Sequence, residues 1–302
     1  FLDTVETFFL PVAESLVAAQ RQRGKTLVVG INGAQGTGKS TLALFLAHLL
    51  THAFDYPCAR FSIDDIYLTH SERVMLGKTV HPLLQTRGVP GTHDLALGRQ
   101  TIASLCRAKA DTLTPIPVFN KAIDDRVPQS QWPLYKGRAS IVLVEGWCVG
   151  ATPEHDQARL MEPINELERE ADPDGIWRNY VNQQLLGSYA EFFEWLDHLI
   201  MLKAPSMECV IQWRTLQERK MVEKIFAHKY GAGKEAAEQW ASHSLPECEE
   251  AKAVMSPEQL LWFIMHYERL TRRMLEELPQ RANTVFTIDA NHHTSGVTHN
   301  AG

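Results

Sequence analysis

The sequence predicts an α/β fold in which helices flank a doubly wound, mostly parallel sheet. Short apolar runs such as SIVLVEGW alternate along the chain with longer helical stretches. An apolar run without polar alternation is typical of a strand that is covered on both faces, as in a parallel sheet. A chain of 302 residues is long enough for one large core. We therefore expect a single domain over residues 1–290.

Strands and helices are expected in a regular order. An amphipathic helix over 3–22 leads into the first strand, and Asp94 is the predicted N-cap of the helix that begins LALGRQ. Residues 68–93 have weak periodicity and are expected to form helical turns and a substrate-facing loop. The polar residues 291–302 are expected to be disordered. The other strands are predicted at 27–31, CARFSIDD, 140–147, 198–205 and 283–290, and the other helices from Thr41 and over 182–196, 206–228 and 257–277.

Composition argues against several classes of function. The 36 acidic and 30 basic residues give a net charge of -6, which disfavours a surface built to bind nucleic acid or anionic lipid. The five cysteines stand far apart without a CxxC pair, and we interpret them as reduced thiols. No apolar stretch reaches the roughly 20 residues that span a bilayer, and the first residues are acidic where a signal peptide is basic. We therefore expect a cytoplasmic protein without a nucleic-acid or membrane partner.

The strongest motif is GAQGTGKS, which fits the phosphate-binding P-loop pattern GxxxxGKS completely and lies between a predicted strand and a predicted helix. Its glycines let successive N–H groups converge on a phosphate, and the helix N-terminus adds a positive dipole end. Lys39 is expected to reach the β- and γ-phosphates, and Ser40 to place its hydroxyl on Mg²⁺. The residues expected to contact the nucleoside triphosphate are Gly33, Ala34, Gln35, Gly36, Thr37, Gly38, Lys39, Ser40 and Thr41.

Acidic residues follow two further strands, at Asp64 and Asp65 in SIDDIYL and at Glu145 in VLVEGW. Phosphoryl transfer to a hydroxyl needs a carboxylate that accepts its proton. Neighbours on an extended chain point in opposite directions, so one of Asp64 and Asp65 is expected to face the nucleotide. The competing interpretation is that both cap the following turn. Glu145 is expected to orient Mg²⁺, directly or through water.

The stretch WRTLQERK places Arg214 and Arg219 on a predicted helix. Guanidinium groups there would close over a transferring phosphate as a helical lid, which we place at about residues 206–240. A solvated basic helix face is the alternative interpretation.

These motifs, together with TRGVPGTHDLAL and IPVFNKAIDDRVP, resemble the D-glycerate 3-kinase family of P-loop kinases. More distantly the chain is similar to uridine kinase, phosphoribulokinase and the bacterial type of pantothenate kinase. The resemblance covers about Leu27 to Arg219 and resumes near 256–290, and TRGVPGTHD is its most specific part. It implies a P-loop NTPase-type fold that uses ATP and Mg²⁺.

The resemblance also implies roles for particular side chains. Asp64 matches the residue that supplies the base in the uridine and pantothenate kinases, with Asp65 as second candidate. In the mechanism that we expect from the residues themselves, Lys39 and a lid arginine, Arg214, stabilise the moving phosphoryl group, and Asp64 joins Ser40 and Glu145 at the metal. The implied acceptor pocket consists of Arg87, His93, Asp94, Asn120, Lys121 and Arg126. The arginines and the lysine of this pocket suit a substrate with a small carboxylate group. For His93 and Asp94, the alternative interpretation is that they only cap a helix.

We expect an ATP- and Mg²⁺-dependent kinase that phosphorylates a hydroxyl of a small-molecule substrate, D-glycerate or a similar hydroxy acid. One alternative is another acceptor, such as a nucleoside or pantothenate. A nucleoside site needs aromatic stacking, for which Tyr67, Phe119, Trp132 and Trp147 are available. The other alternative is an ATP-binding regulatory protein whose output is binding or hydrolysis. ATP turnover that rises sharply with a small acceptor distinguishes a kinase from a regulator.

Overall fold

A computed structural model describes residues 2–245 and 254–300. Its strands are β1 Leu27–Gly33, β2 Cys58–Ser62, β3 Leu113–Pro115, β4 Phe119–Asn120, β5 Asp125–Arg126, β6 Leu134–Lys136, β7 Ile141–Gly146, β8 His198–Lys203, β9 Thr284–Ile288 and β10 Thr294–His299. Its α-helices are α1 Leu2–Thr4, α2 Leu10–Arg23, α3 Lys39–His52, α4 His70–Thr79, α5 Leu95–Arg107, α6 Gln157–Met161, α7 Glu166–Ala171, α8 Ile176–Gln184, α9 Ala190–Phe193, α10 Met207–Tyr230, α11 Gly233–Ala241 and α12 Pro257–Arg281. Short 3₁₀ turns span Ile63–Ile66, Pro82–Gln85 and Gln129–Gln131, and π-helical turns span Val5–Phe9 and Leu185–Tyr189.

The central sheet has six strands in the order β10-β9-β8-β1-β7-β2. Strands β2, β7, β1, β8 and β9 are parallel, and β10 pairs antiparallel with β9 at the edge. Helices cover both faces, which confirms the predicted α/β fold with a mostly parallel sheet.

The two faces of the sheet explain the continuous apolar runs. Val29 and Ile31 of β1 belong to one core with side chains of α2 and α3, whereas Val28 belongs to a second core with side chains of α5 and α12. Successive side chains of a strand point to opposite faces, so each strand between two helical layers must be apolar throughout.

The strand register brings the functional residues to one edge of the sheet. Glu145 of β7 lies opposite Ile31 of β1 on one side and opposite Ser62 of β2 on the other. The P-loop follows β1 directly, and Asp64 and Asp65 follow β2. In open α/β sheets, ligands bind at the carboxyl ends of the strands, which is where these residues meet.

Several sequence expectations differ from the structure. The expected disorder of 291–302 is wrong for Thr294–His299, because this segment forms strand β10 on the edge of β9. The stretch 68–93 contains a full helix, α4, besides the expected turns. The helix expected at 182–196 begins earlier, with α8 at Ile176, and continues through a π-helical turn.

The described part of the chain contains no helix that is long and apolar enough to cross a membrane. Cys58, Cys106, Cys148 and Cys209 are free thiols, and Cys248 lies outside the described residues.

Candidate active site

The P-loop forms a tight turn between β1 and α3. Gly36 and Gly38 have φ angles of 83° and 90°, in the left-handed region that favours glycine. Gly38 precedes α3 without a side chain, so no side-chain cap covers the N–H groups of the first helical turn. The Thr37 hydroxyl turns inward and donates to the carbonyl of Ala34 at 2.8 Å. The loop therefore presents backbone donors toward the carboxyl edge of the sheet, as phosphate binding requires.

A cavity of about 770 Å³ opens beside this loop. P-loop residues from Gln35 to Thr41 form one wall, although Thr37 itself is not part of the lining. Among the described lining residues, the cations outnumber the carboxylates. The cations are Lys39, Arg60, Arg87, Lys121, Arg214 and Lys220, and the carboxylates are Asp64, Asp65 and Glu145. A local excess of positive charge in an acidic protein suits a polyanionic ligand such as a triphosphate.

Ser40 and Glu145 form a pair of oxygen donors at the base of the cavity. The Ser40 hydroxyl donates to Oε1 of Glu145 at 2.7 Å. The second carboxylate oxygen, Oε2, is buried and has no hydrogen-bond partner among the described residues. Hydroxyl and carboxylate oxygens are the donors that Mg²⁺ prefers, and a buried oxygen without a partner is costly unless a ligand occupies it. The two residues therefore fit a magnesium site.

Asp64 is held by two donors at the end of β2. Nζ of Lys121 lies 2.6 Å from Oδ2, and the Tyr67 hydroxyl donates to Oδ1 at 2.9 Å. Burial would raise the pKa of Asp64, but the charges of Lys121 and Lys39 and the two hydrogen bonds outweigh it and lower the pKa to about 2. Asp64 is thus an ionised carboxylate inside the cavity, and both of its oxygens are already engaged by side chains of the chain itself.

Asp65 has a different role in the same turn. Its Oδ2 accepts from the N–H of Ser62 at 2.9 Å and completes a capping box at Ile63–Ile66. Burial raises the pKa of Asp65, and the nearby negative charges of Asp64 and Glu145 act in the same direction against its backbone hydrogen bonds. The capping interpretation therefore describes Asp65, whereas Asp64 faces Lys39 and Lys121.

Arg87 and Lys121 are the two predicted acceptor residues that line the cavity. The Arg87 guanidinium forms an ion pair with Asp124 and lies 5.7 Å from the ring centroid of Phe119. The loop that carries Arg87 is tethered twice through its backbone. The Tyr267 hydroxyl donates to the carbonyl of Arg87 at 3.1 Å, and the Trp147 indole donates to that of Gly88 at 2.8 Å.

The other four predicted acceptor residues lie outside the cavity lining. Asp94 caps α5 by accepting from Leu97 N and also pairs with Arg126 at 2.9 Å. Asn120 accepts from the N–H of Ala122 within its own turn. His93 is buried behind Tyr67, on which it stacks at 4.5 Å, and burial lowers its pKa to about 4 despite the nearby charge of Asp64. The contact with the acceptor that the resemblance implied for these four residues therefore has no support from the cavity lining.

The predicted lid region begins with α10, which packs closely against the P-loop at Trp213. A Cβ built on Gly36 would lie 2.9 Å from Cβ of Trp213, and the Trp213 indole donates to the carbonyl of Ala290 at 3.0 Å. Arg214 lines the cavity as predicted. Arg219 does not line this main cavity; it lines a separate cavity of about 230 Å³, and Lys220 lines both.

Sequence reasoning missed His292. Its ring lies 4.3 Å from that of Trp213, and both side chains line the cavity. His292 belongs to the turn between β9 and β10, the segment expected to be disordered. No local pattern marks it, because its position depends on the pairing of β10 with β9.

The geometry defines a class of protein, the P-loop kinases. Their characteristic parts meet here at one cavity: a parallel sheet, a P-loop, a Ser–Glu pair and a second carboxylate. The chain is 30% identical over 253 residues to the uncharacterized kinase mug58 of Schizosaccharomyces pombe, covering 82% of this chain and 88% of the relative. It is 30% identical over 203 residues to a chloroplastic D-glycerate 3-kinase of Arabidopsis thaliana, covering 65% of this chain and 41% of the relative. No protein-family model matches the chain.

A solved structure of a D-glycerate 3-kinase from Cryptococcus neoformans has the same fold, with a TM-score of 0.72 and 23% identity over 97% of this chain and 99% of that one. The chain belongs to the D-glycerate 3-kinase family of P-loop kinases. It is therefore a kinase, and membership of this family implies that it uses ATP.

Proposed function

We propose that this kinase transfers the γ-phosphoryl group of ATP to a hydroxyl of D-glycerate or a similar small hydroxy acid. The observation that carries this proposal is the ion pair of Lys121 with Asp64, with Arg87 on the same cavity. A carboxylate paired with a lysine, with an arginine on the same cavity, provides a proton acceptor for a hydroxyl and cations that could bind an acid group in one cavity. The Arabidopsis and Cryptococcus relatives named D-glycerate 3-kinase agree with this acceptor.

In the proposed reaction, the P-loop backbone and Lys39 hold the phosphates, and Asp64 accepts the proton of the attacking hydroxyl. Ser40 and Glu145 would hold Mg²⁺, which neutralises charge on the β- and γ-phosphates when it is bound. We do not extend the metal role to Asp64, because the ammonium of Lys121 on Oδ2 would repel a cation there, whereas the remaining lone pairs of the carboxylate can still accept a proton. Arg214 would stabilise charge on the transferring group from the side of α10. A carboxylate of low pKa suffices here, since most of the catalysis of phosphoryl transfer comes from positioning and electrostatics.

The aromatic side chains disfavour a nucleoside as acceptor. Tyr67 and Trp147 are each only 3% exposed. One face of the Tyr67 ring stacks on His93, and Trp147 packs edge-to-face with Tyr267 at 4.8 Å. Trp132 donates to the carbonyl of Val127 and does not line the cavity. Tyr67 and Trp147 therefore leave little free ring surface on which a base could stack.

The proposal is tested by ADP release from MgATP without an acceptor and with D-glycerate, L-glycerate, pantothenate, uridine or ribulose 5-phosphate in turn. We expect strong stimulation by D-glycerate alone. Stimulation by another compound would reassign the acceptor, and stimulation by none would favour the regulatory alternative.

The Asp64→Asn variant tests the proposed base. It should lose at least about 100-fold in turnover, the scale of general-base catalysis, because an amide cannot accept the proton. Its affinity for ATP should be retained, since the P-loop is unchanged. Asp111→Asn is the matched control, because Asp111 is 95% exposed at its side chain and is absent from the cavity lining. Unchanged turnover in Asp64→Asn would remove Asp64 from the mechanism.

A further inference from the structure

Glu218 is a buried carboxylate on α10 that the proposed reaction does not use. It is 1% exposed, and its two oxygens bind different partners. Oε2 accepts from Nη1 of Arg214 at 2.7 Å, one helical turn earlier, and Oε1 accepts from the N–H of Met255 at 2.9 Å. A buried charge is costly unless it is paired and hydrogen-bonded, so both contacts are needed to keep this carboxylate inside the protein.

The partner of Glu218 is the arginine that faces the cavity. The Arg214 side chain is 14% exposed, and its Cζ lies 5.9 Å from the ring centroid of Phe263 on α12. The guanidinium is therefore held between a carboxylate on one side and an aromatic face on the other. An arginine side chain has several rotatable bonds. Because these contacts already fix them in the free protein, the side chain loses less conformational entropy when it contacts the transferring phosphoryl group.

We propose that Glu218 is a positioning residue, which holds the Arg214 guanidinium at the cavity in the orientation needed for phosphoryl transfer. This inference rests on the proposed function, in which Arg214 stabilises the transferring group. The second contact of Glu218 gives the arrangement its rigidity. Trp240 of α11 donates to the carbonyl of Met255 at 2.7 Å, so the same carboxylate that holds Arg214 is joined through Met255 to α11. Arg214 is thus fixed by the packing of α10 before any substrate binds.

The test is a double-mutant cycle of Arg214→Ala and Glu218→Gln, measured as acceptor-dependent turnover and as the Kd for ATP. A glutamine amide carries only one acceptor oxygen, so in Glu218→Gln the side chain cannot serve both Arg214 and Met255. We expect at least a tenfold loss of kcat in Glu218→Gln, with the Kd for ATP changed by less than about twofold. In the Arg214→Ala background the same substitution should change kcat by less than about twofold, because its target is gone. Glu223→Gln on the same helix removes an equal charge outside the main cavity and should leave kcat unchanged.

The outcomes separate this inference from the proposed function. If Arg214→Ala does not lower kcat, the proposed role of Arg214 fails. If Arg214→Ala lowers kcat and Glu218→Gln does not, the positioning role is overturned. An equal loss from Glu218→Gln with and without Arg214 would also overturn it, because the effect would then be structural. A readout independent of activity is the ¹⁵Nε–¹Hε signal of Arg214, which should be narrow and protected in the wild type and averaged with solvent in Glu218→Gln.

Discussion

At the scale of single residues, the proposed active site depends on one carboxylate and the cation beside it. Asp64 is 22% exposed at its side chain and Lys121 is 59% exposed, so the lysine is the partner with room to move. An acidic acceptor would offer Lys121 a second carboxylate within the same cavity. The residue that holds Asp64 in the free enzyme would then also bind the acceptor beside it.

Lys121→Met tests this assignment. We expect the KM for the acceptor to rise about tenfold or more, because a charge-assisted hydrogen bond is lost. The Kd for ATP should change little. Lys136→Met is the control, since Lys136 is 67% exposed at its side chain and pairs with Asp111 away from the cavity. An unchanged acceptor KM would exclude Lys121 from the acceptor site.

Single residues also differ in how well the sequence predicts their place. The motif GAQGTGKS was enough to predict the phosphate loop, because a P-loop is a local structure. Its glycines and lysine lie within one backbone turn, so no distant part of the chain is needed to place them. Arg126 and Asp94 were assigned by motif position, but they pair with each other, and a sequence does not show which of two partners a cation takes. The choice of Lys220 over Arg219 depends on the phase of α10. Residues 213, 214, 216, 217 and 220 of this helix line the main cavity, whereas 219 lines only the smaller cavity.

At the scale of elements, the loop 87–91, which carries the proposed acceptor residue Arg87, is positioned by α12 and by Trp147 after the end of β7. Tyr267 and Trp147 each donate to a carbonyl of this loop and pack against each other. Gly88 has a φ of 136°, and a Cβ at this position would lie 2.1 Å from the Tyr267 hydroxyl. The loop therefore has one close-packed arrangement, and it determines where Arg87 lies.

Tyr267→Phe removes one tether and keeps the ring. We expect a loss of about 1 kcal/mol in the free energy of unfolding, the ordinary net value of a hydrogen bond, and a severalfold higher acceptor KM. The measurement is urea unfolding together with acceptor titrations. A loss of stability with an unchanged KM would show that the tether does not position Arg87.

Gly36→Ala tests the packing of α10 against the P-loop. The substitution forces a side chain into a left-handed φ and places its Cβ 2.9 Å from Trp213, so we expect ATP affinity to fall by at least tenfold. Gly24→Ala is the matched control, because Gly24 has a φ of 69° but open space around its Cβ position. The control should be less stable by about 1 kcal/mol and bind ATP normally. Equal ATP affinity in the two variants would show that the contact with Trp213 does not shape the phosphate loop.

At the scale of the whole molecule, two histidines link stability to pH: His93, which is buried, and His198, which is partly buried. Burial lowers the pKa of His93 and of His198 to about 4, below the ordinary value of 6.5. The unfolded chain therefore binds more protons than the folded one between pH 6.5 and 4. Stability that is present above pH 6.5 is lost as the pH falls through this range, by at most about 1.4 kcal/mol per pH unit for each histidine.

The check is urea unfolding of the wild type and of His198→Gln at pH 7 and pH 5. His198 is on β8, remote from the cavity lining, so its substitution isolates the proton effect from the site. We expect the variant to lose less stability than the wild type between the two pH values. An equal loss would show that His198 does not contribute to the pH dependence.

The whole fold was also only partly predictable. The core strands could be predicted from their apolar runs, because a strand that is buried on both faces is apolar at nearly every position. Strand β10 leaves no such pattern, because TSGVTH lies at the sheet edge without a buried residue and is held by its pairing with β9. His292 reaches the cavity only as a result of that pairing.

Phosphoryl transfer to D-glycerate can be followed directly by ³¹P NMR of the protein with MgATP and D-glycerate. We expect the γ-phosphate resonance to decay while a phosphate-ester resonance of phosphoglycerate grows at the same rate. Decay into inorganic phosphate, with no ester formed, would show that this chain is not a glycerate kinase.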